Sequence, residues 1–293
     1  MLPEKEKTLL VIVPTRGRPE KIREFLPEAF NNSQVGWWGA QRSEALDNIE
    51  GKLLSEEYTL RTDFAICLDD DDPTLQEYLS QLDGYIDYCL QDSNKNLIPA
   101  LQEERSKGIS QIAWSGTLHV DVGPRIKMCP SVNRALQTHN GYDYYFFMGD
   151  DHRIRTRGWT YRVLEHMLRH NDKAVVYGDD LMMHERLASA FAVSKKLIDK
   201  QVAARKKHTG EDDLYIAAPG LIHMYMDNQM MDLGRAFGGL VYDPQIVVEH
   251  LHYTQGKSAE DEGYKSVNND EVFKHDEQVY REWKENILPL VKN

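Results

Sequence analysis

An α/β fold with a mostly parallel central sheet is what the sequence predicts, on three observations. Short apolar runs recur at Thr8 to Val13, Phe64 to Leu68 and Tyr144 to Met148, with the β-forming content and length of buried strands. Each run stops at a charged loop: PTRGRP, DDDDP or GDDH. The chain has 293 residues, 41% hydrophobic and 28% charged, enough for one large α/β domain or two tightly joined lobes.

Taken in order, TLLVIV fills the centre of the sheet and breaks at Pro14, Thr15, Arg16, Gly17 and Arg18. Pro19 suits the first turn of a helix and Glu20 complements its dipole, with Ile22, Phe25 and Leu26 on the buried face. Loops at the carboxyl ends of parallel strands are where open α/β sheets bind ligands. Arg16 and Arg18 therefore either meet phosphate or base, or are solvated arginines on a tight turn. Asn31 to Leu60 reads as irregular, and its Trp37-Trp38-Gly39 either packs as local core or stacks on a sugar or base. FAICL is the second strand, ending in Asp69 to Asp72, with a helix from Thr74 to about Ile86. Four adjacent carboxylates repel one another, so one or two act and the others cap the helix or face water.

Ile109 to Trp114 is the expected third strand, followed by a loop from Gly116 to Pro130 that carries Arg125 and Lys127. Pro130 to Thr138 reads as a helix. Next comes YDYYFFMGDDHRIRTRGW, the stretch around which the rest is organised. An aromatic strand runs into Asp150, Asp151 and His152, which leaves negative charge at a sheet edge. That charge is costly unless a cation or hydrogen bonds compensate, and a divalent metal does so most simply. Beyond it the sequence predicts a helix from Gly158 to about His170, with Trp159 in the core. A strand from Lys173 to Tyr177 ends at the acid pair Asp179-Asp180, which either acts or simply turns the chain. Helix returns in the second half of Leu187 to about Lys206. Asp227 fits an N-cap of a helix that ends at Gly238-Gly239. Leu240 to His252 reads as a strand, a turn at Asp243-Pro244 and a second strand, with His250 and His252 on one face. A polar run, His252 to Asn269, precedes an amphipathic helix from Asp270 to about Leu288, on which Val279, Trp283 and Ile287 share a face.

Composition sets bounds on function. Lys and Arg total 35 against 47 Asp and Glu, a net charge of −12. Such a chain repels polyanions at long range; this disfavours a nucleic-acid acceptor without forbidding it, and leaves room for a local basic pocket. No apolar run approaches a membrane span, and nothing like a cleavage site follows the N-terminal apolar run, so it reads as a strand rather than a signal peptide. Cys67, Cys89 and Cys129 lie far apart among apolar neighbours, as reduced buried thiols of a cytoplasmic protein do.

Four segments in this order resemble the GT-A glycosyltransferases, closest to the large family 2 type. They are VIVPTRGRPEKIREFL, CLDDDDPT, IKMCPSVNRALQTHNGYDYYFFMGDDHRI and GRAFGGLVYDPQIVVEHLH, within residues 8–255. The resemblance implies a single GT-A domain over 1–293. Its nucleotide-sugar half is about 8–155, its acceptor half about 156–255, and a C-terminal helix covers about 270–290. It implies a nucleotide-sugar donor, UDP first and GDP next, Mn²⁺ or Mg²⁺, and transfer to the hydroxyl of an acceptor the sequence does not identify. Carried over by position, Asp70 or a neighbour among Asp69 to Asp72 binds base or ribose, and Asp151 holds the metal, with Asp150 beside it contacting ribose or metal. His252, with His250 as the alternative, is a late metal ligand, and Asp227 stands where such enzymes keep the general base. The first-strand loop (Pro14, Thr15, Arg16, Arg18) and Lys127 are assigned to the nucleotide. Lys257 either closes over the diphosphate or belongs to a flexible charged loop, and His152 stands behind the metal ligands. Two departures stand out: if Asp151 is the last acid of a DxD motif, Gly149 replaces the first, and the usual Glu-Asp base pair is here Met226-Asp227-Asn228.

The chemistry sets two demands, charge neutralisation of a leaving diphosphate and removal of a proton from the attacking hydroxyl. One base opposite the leaving group predicts inversion. The rival readings are a nucleotidyltransferase acting on a sugar phosphate, and a non-catalytic nucleotide-sugar-binding module.

Overall fold

The computed structural model describes residues 5–33, 46, 49, 51–92, 116–259 and 262–292. Strands β1 (Lys5–Pro14), β2 (Tyr58–Asp69), β3 (Leu118–Gly123), β4 (Tyr144–Phe147), β5 (His152–Ile154), β6 (Val175–Asp179), β7 (Phe191–Ser194) and β8 (Leu240–His250) form one sheet. Its order is β3-β2-β1-β4-β7-β6-β8-β5. The first four strands are parallel, β7 is antiparallel to β4 and β6, β8 runs parallel to β6, and β5 closes the edge antiparallel to β8. This is the mostly parallel α/β arrangement that the sequence predicts.

The apolar run of β1 is continuous because both faces of the sheet are covered. Leu9, Val11 and Val13 pack on helices α1 (Pro19–Ser33), α2 (Leu75–Asp92) and, beyond Trp159, α4 (Trp159–Arg169). Leu10 and Ile12 belong to the opposite core with α3 (Met128–Thr138), α5 (Lys195–Thr209) and α6 (Met226–Ala236). The alternation follows from the two-residue period of a strand. After the short helix α7 (Glu262–Val267), α8 (Asp270–Asn286) and α9 (Leu288–Val291) return to that second core, where Trp283 and Ile287 are buried and Val279 packs beside them. Trp159 is fully buried, its ring edge-on to Phe146 at 4.6 Å. Cys67 and Cys129 are buried free thiols. No described helix is long and apolar enough to cross a membrane.

The structure corrects several expectations. The third strand lies at Leu118–Gly123, inside the predicted loop, while 109–114 and Trp37-Trp38-Gly39 fall outside the described residues, as does the side chain of Cys89. Two short strands, β5 and β7, were not expected. Leu240–His250 is one strand rather than two. Its register against β6 slips between Gly178, opposite Asp243, and Asp179, opposite Val247. The Asp243-Pro244 signal therefore marks a bulge, which Gly178 permits: a Cβ there would lie 1.8 Å from the carbonyl oxygen of Ile246.

Candidate active site

A cavity of about 990 Å³ opens where the strand order reverses between β1 and β4. This is the crevice in which open α/β sheets bind ligands, and it is at the upper end of the roughly 300–1,000 Å³ usual for small-molecule sites. The loop after β1 forms one wall. Thr15 Oγ1 donates to Asp150 Oδ2 at 2.6 Å and Tyr78 OH bonds Thr15 Oγ1 at 2.8 Å, while the amide of Arg18 donates to Tyr78 OH at 2.7 Å. The amide of Gly17 donates to Asp72 Oδ2 at 2.7 Å, and the other oxygen of Asp72 accepts from the amide and hydroxyl of Thr74. Of the four acids after β2, Asp72 is thus the cap that ties two loops together. Asp69 lines the cavity, and burial pushes its carboxyl up against the pull of Arg16, which pairs with it at 3.0 Å. Arg16 also pairs with Asp71. Asp70 is exposed and does not line the cavity.

The acids after β4 form the floor. Asp150 is 4% exposed and accepts from Arg18 at 2.9 Å; burial pushes its carboxyl up although Arg18 opposes the shift. Asp151 behaves oppositely. Burial alone would raise it, but hydrogen bonds from His152 and His250 hold it well below the usual carboxylate range. His152 Nδ1 lies 3.0 Å from Asp151 Oδ1, and His250 Nε2 lies 3.4 Å from Oδ2. The pairing of β5 with β8 sets His152 directly opposite His250, and their rings stack at 4.2 Å. Tyr264, from α7, donates to Asp151 Oδ2 at 2.5 Å, and the Arg18 guanidinium lies over its ring at 4.6 Å.

Asp151, His152 and His250 bring one ligand atom each within 4.8 Å of one another. The donor set suits a divalent cation. The carboxylate is ionised, and burial and the neighbouring His250 lower the pKa of His152, keeping its imidazole in the neutral, ligating form. His152 Nε2 and His250 Nδ1 are buried without a hydrogen-bond partner, an unsatisfied arrangement in the protein alone. Gly149 explains the missing first acid of the motif, because a Cβ there would stand 2.7 Å from Asp151 Oδ1. A side chain at 149 would displace the carboxylate.

Asp227 also lines the cavity. It is the second residue of α6, not its cap, because Tyr225 holds the cap position with φ +68°. Burial pushes its carboxyl up to about 6, partly offset by the amide of Asn228, which donates to it at 2.7 Å. Lys127, also at positive φ, and Arg125 reach the cavity from the turn before α3. His252 borders the cavity beyond the end of β8, so it does not share a strand face with His250; its Nδ1 lies 2.8 Å from Thr254 Oγ1. Lys257 is exposed, pairs with Glu249 at 2.8 Å and does not line the cavity. Asp180 organises the turn after β6, accepting from the amides of Met182, Met183 and His184 and from Ser189 Oγ. That turn carries Met182 and Met183 to the cavity. Sequence reading did not single out His223 or Tyr264, and it set His152 behind the ligands rather than among them. The adjacency of His152 to the acids was the available signal; Tyr264, in a polar run, offered none.

No family model matches the chain, and no curated protein matches it in sequence. Among solved structures it is similar to S. aureus TarS, with a TM-score of 0.45 and 12% identity over 82% of this chain and 36% of that one. It is also similar to mannosyltransferase PcManGT from Pyrobaculum calidifontis in complex with GDP-Man and Mn²⁺ (TM-score 0.47, 11% identity, 99% and 74% covered). A third is S. aureus TarS 1–349 in complex with UDP-GlcNAc (TM-score 0.41, 12% identity, 94% and 73% covered). The chain spans little more than a third of the full TarS chain. These solved structures are glycosyltransferases, the group that the four sequence segments resemble.

Proposed function

We propose that the chain is a metal-dependent glycosyltransferase that moves a sugar from a nucleoside diphosphate to an acceptor hydroxyl, with inversion, as one domain over 1–293. The observation that carries this reading is one cavity with three kinds of group. It holds a candidate metal cluster of Asp151, His152 and His250 contributed by the loop after β4, β5 and β8, cationic side chains from the β1 loop and the turn before α3, and a carboxylate of raised pKa lining the same space. A divalent ion held by the cluster would supply the Lewis-acid charge that a departing diphosphate needs. Two imidazoles and one carboxylate suit Mn²⁺ better than Mg²⁺, which prefers an all-oxygen shell.

The protein's own groups account for the rest. Arg18 and Lys127 place positive charge beside the diphosphate. Asp150 orients Arg18 and Thr15 rather than facing the ligand freely. Asp227, with a carboxyl at about 6, is ionised at neutral pH yet basic enough to take the acceptor proton. UDP is the first nucleotide to try and GDP the second.

Turnover of nucleotide sugars with Mn²⁺, followed by product analysis, tests the reading. Release of a nucleoside diphosphate with transfer of the sugar supports it. Pyrophosphate release would make the chain a nucleotidyltransferase, and donor binding without any turnover would make it a binding module.

A further inference from the structure

One side chain that lines the cavity has not yet been given a role. His223 sits in the segment between Pro219-Gly220 and α6, and its imidazole makes no hydrogen bond among the described residues. It lies within electrostatic reach of Asp151, Lys127 and Arg18, the groups on the diphosphate side. Its segment leads directly into the helix turn that carries Asp227. In the glycosyltransferase reading the transferred sugar occupies the cavity that Asp151, Asp227 and His223 all line.

The backbone beneath His223 is fixed by one carboxylate. Asp276, on α8 and fully buried, accepts from three successive amides: Ile222 at 2.9 Å, His223 at 2.8 Å and Met224 at 2.7 Å. His275 Nδ1 lies 2.9 Å from the same carboxylate. The carbonyl of Ile222 accepts from the amide of Cys129 at 3.1 Å, which ties the segment to the start of α3. Three converging amides around a buried anion leave the loop little freedom. Burial lowers the imidazole to about 4, so near neutral pH it carries one N–H donor and one acceptor nitrogen and no charge. Such a group matches a hydroxyl, which both donates and accepts, better than it matches a phosphate oxygen.

We propose that His223 hydrogen-bonds a hydroxyl of the transferred sugar, and that Asp276 is the positioning residue that presents it. The proposal rests on the glycosyltransferase reading and extends it to the contact that distinguishes a nucleotide sugar from its nucleoside diphosphate.

The test is calorimetric titration of the full chain with UDP, UDP-GlcNAc, GDP and GDP-mannose, each with Mn²⁺. In His223→Ala the Kd for the preferred nucleotide sugar rises about five- to tenfold, the worth of one net hydrogen bond, while the Kd for the matching nucleoside diphosphate changes less than about twofold. His223→Gln, which keeps a donor and an acceptor, recovers part of the loss. Asp276→Asn produces the same sugar-specific loss, and combining it with His223→Ala adds nothing further to that difference. Thermal melting of each unliganded variant identifies any that fail to fold; the two His223 variants carry the test if Asp276→Asn does. Equal weakening of sugar and nucleoside diphosphate, or no change in either, overturns the proposal. Failure of the unmodified chain to bind any of the four probes overturns the donor reading, and the proposal with it.

Discussion

Asp227 carries two opposed consequences of one fact, the penalty that burial places on its ionised form. Its folded value of about 6 stands above the value near 3.9 of an unfolded chain. The ionised carboxylate therefore destabilises the fold, fully above about pH 6 and not at all below about pH 4. Asp227→Asn removes that cost. It should raise stability at pH 8 by about 1–2 kcal/mol, discounted because the group borders the open cavity, and leave it nearly unchanged at pH 4. Denaturant melts at the two pH values check this. The same substitution should lower turnover about 10²–10⁴-fold and leave donor affinity intact, and the pH profile of kcat/KM should rise through about pH 6. A profile flat from pH 5 to 8 would remove Asp227 from the role. Asp150 and Asp151 were legible at this scale because acids next to an aromatic strand are costly without compensation, whereas Asp227 was singled out as a helix cap and, by resemblance alone, as a base. His223 was not singled out, since a lone histidine in an irregular segment carries no periodicity and no neighbouring charge in sequence. Gly149, read as a departure, proves to be the residue that leaves room for Asp151.

At the level of elements, the candidate metal cluster depends on a three-residue strand. β5 pairs with the end of β8, and that register alone sets His152 opposite His250. The strand is too short and too polar for a two-residue hydrophobic period to reveal it, and β7 is hidden in the same way by its length of four residues. β3 was read as loop because LHVDVG carries fewer apolar residues than the strands that were recognised. The bulge in β8 has its own anchor. Asp243 accepts from buried Arg162 through Nε at 2.8 Å and Nη2 at 3.1 Å and pairs with part-buried His166 at 2.9 Å. Removing one member strands a buried charge, so Arg162→Ala should cost about 3–5 kcal/mol in chemical denaturation. Burial would raise the Asp243 carboxyl, but His166 and Arg162 outweigh it and hold it at about 2. A depressed carboxylate contributes stability above its unfolded value and loses it as pH falls, so this contribution fades between about pH 4 and about pH 2. In Arg162→Ala that part of the acid transition should shrink, which a pH titration of stability reads directly.

Over the whole molecule, the contrast is between an acidic chain of net charge −12 and a cavity whose rim carries Arg16, Arg18, Arg125 and Lys127. In the proposed reading these local cations serve one diphosphate, while the net charge disfavours a polyanion at long range. The fold class was readable because each apolar run marks a strand covered on both faces, and the reversal of strand order then places the ends of β1 and β4 side by side. The partnership of His152 with His250 was not readable, because it arises from a crossing of distant strands. The mixed imidazole and carboxylate donor set predicts that Mn²⁺ raises the melting temperature more than Mg²⁺ at equal concentration, and that His250→Ala removes the difference.

The central claim, that this cavity takes a nucleoside diphosphate on a divalent metal, is tested most directly by thermal-shift titration with UDP, GDP and their sugars, with and without Mn²⁺. Stabilisation by one nucleotide class is predicted, about 2.7 kcal/mol at 100 times its Kd, dependent on Mn²⁺ and lost in Asp151→Ala. No shift with any nucleotide, or a shift indifferent to Mn²⁺ and to Asp151→Ala, would contradict it.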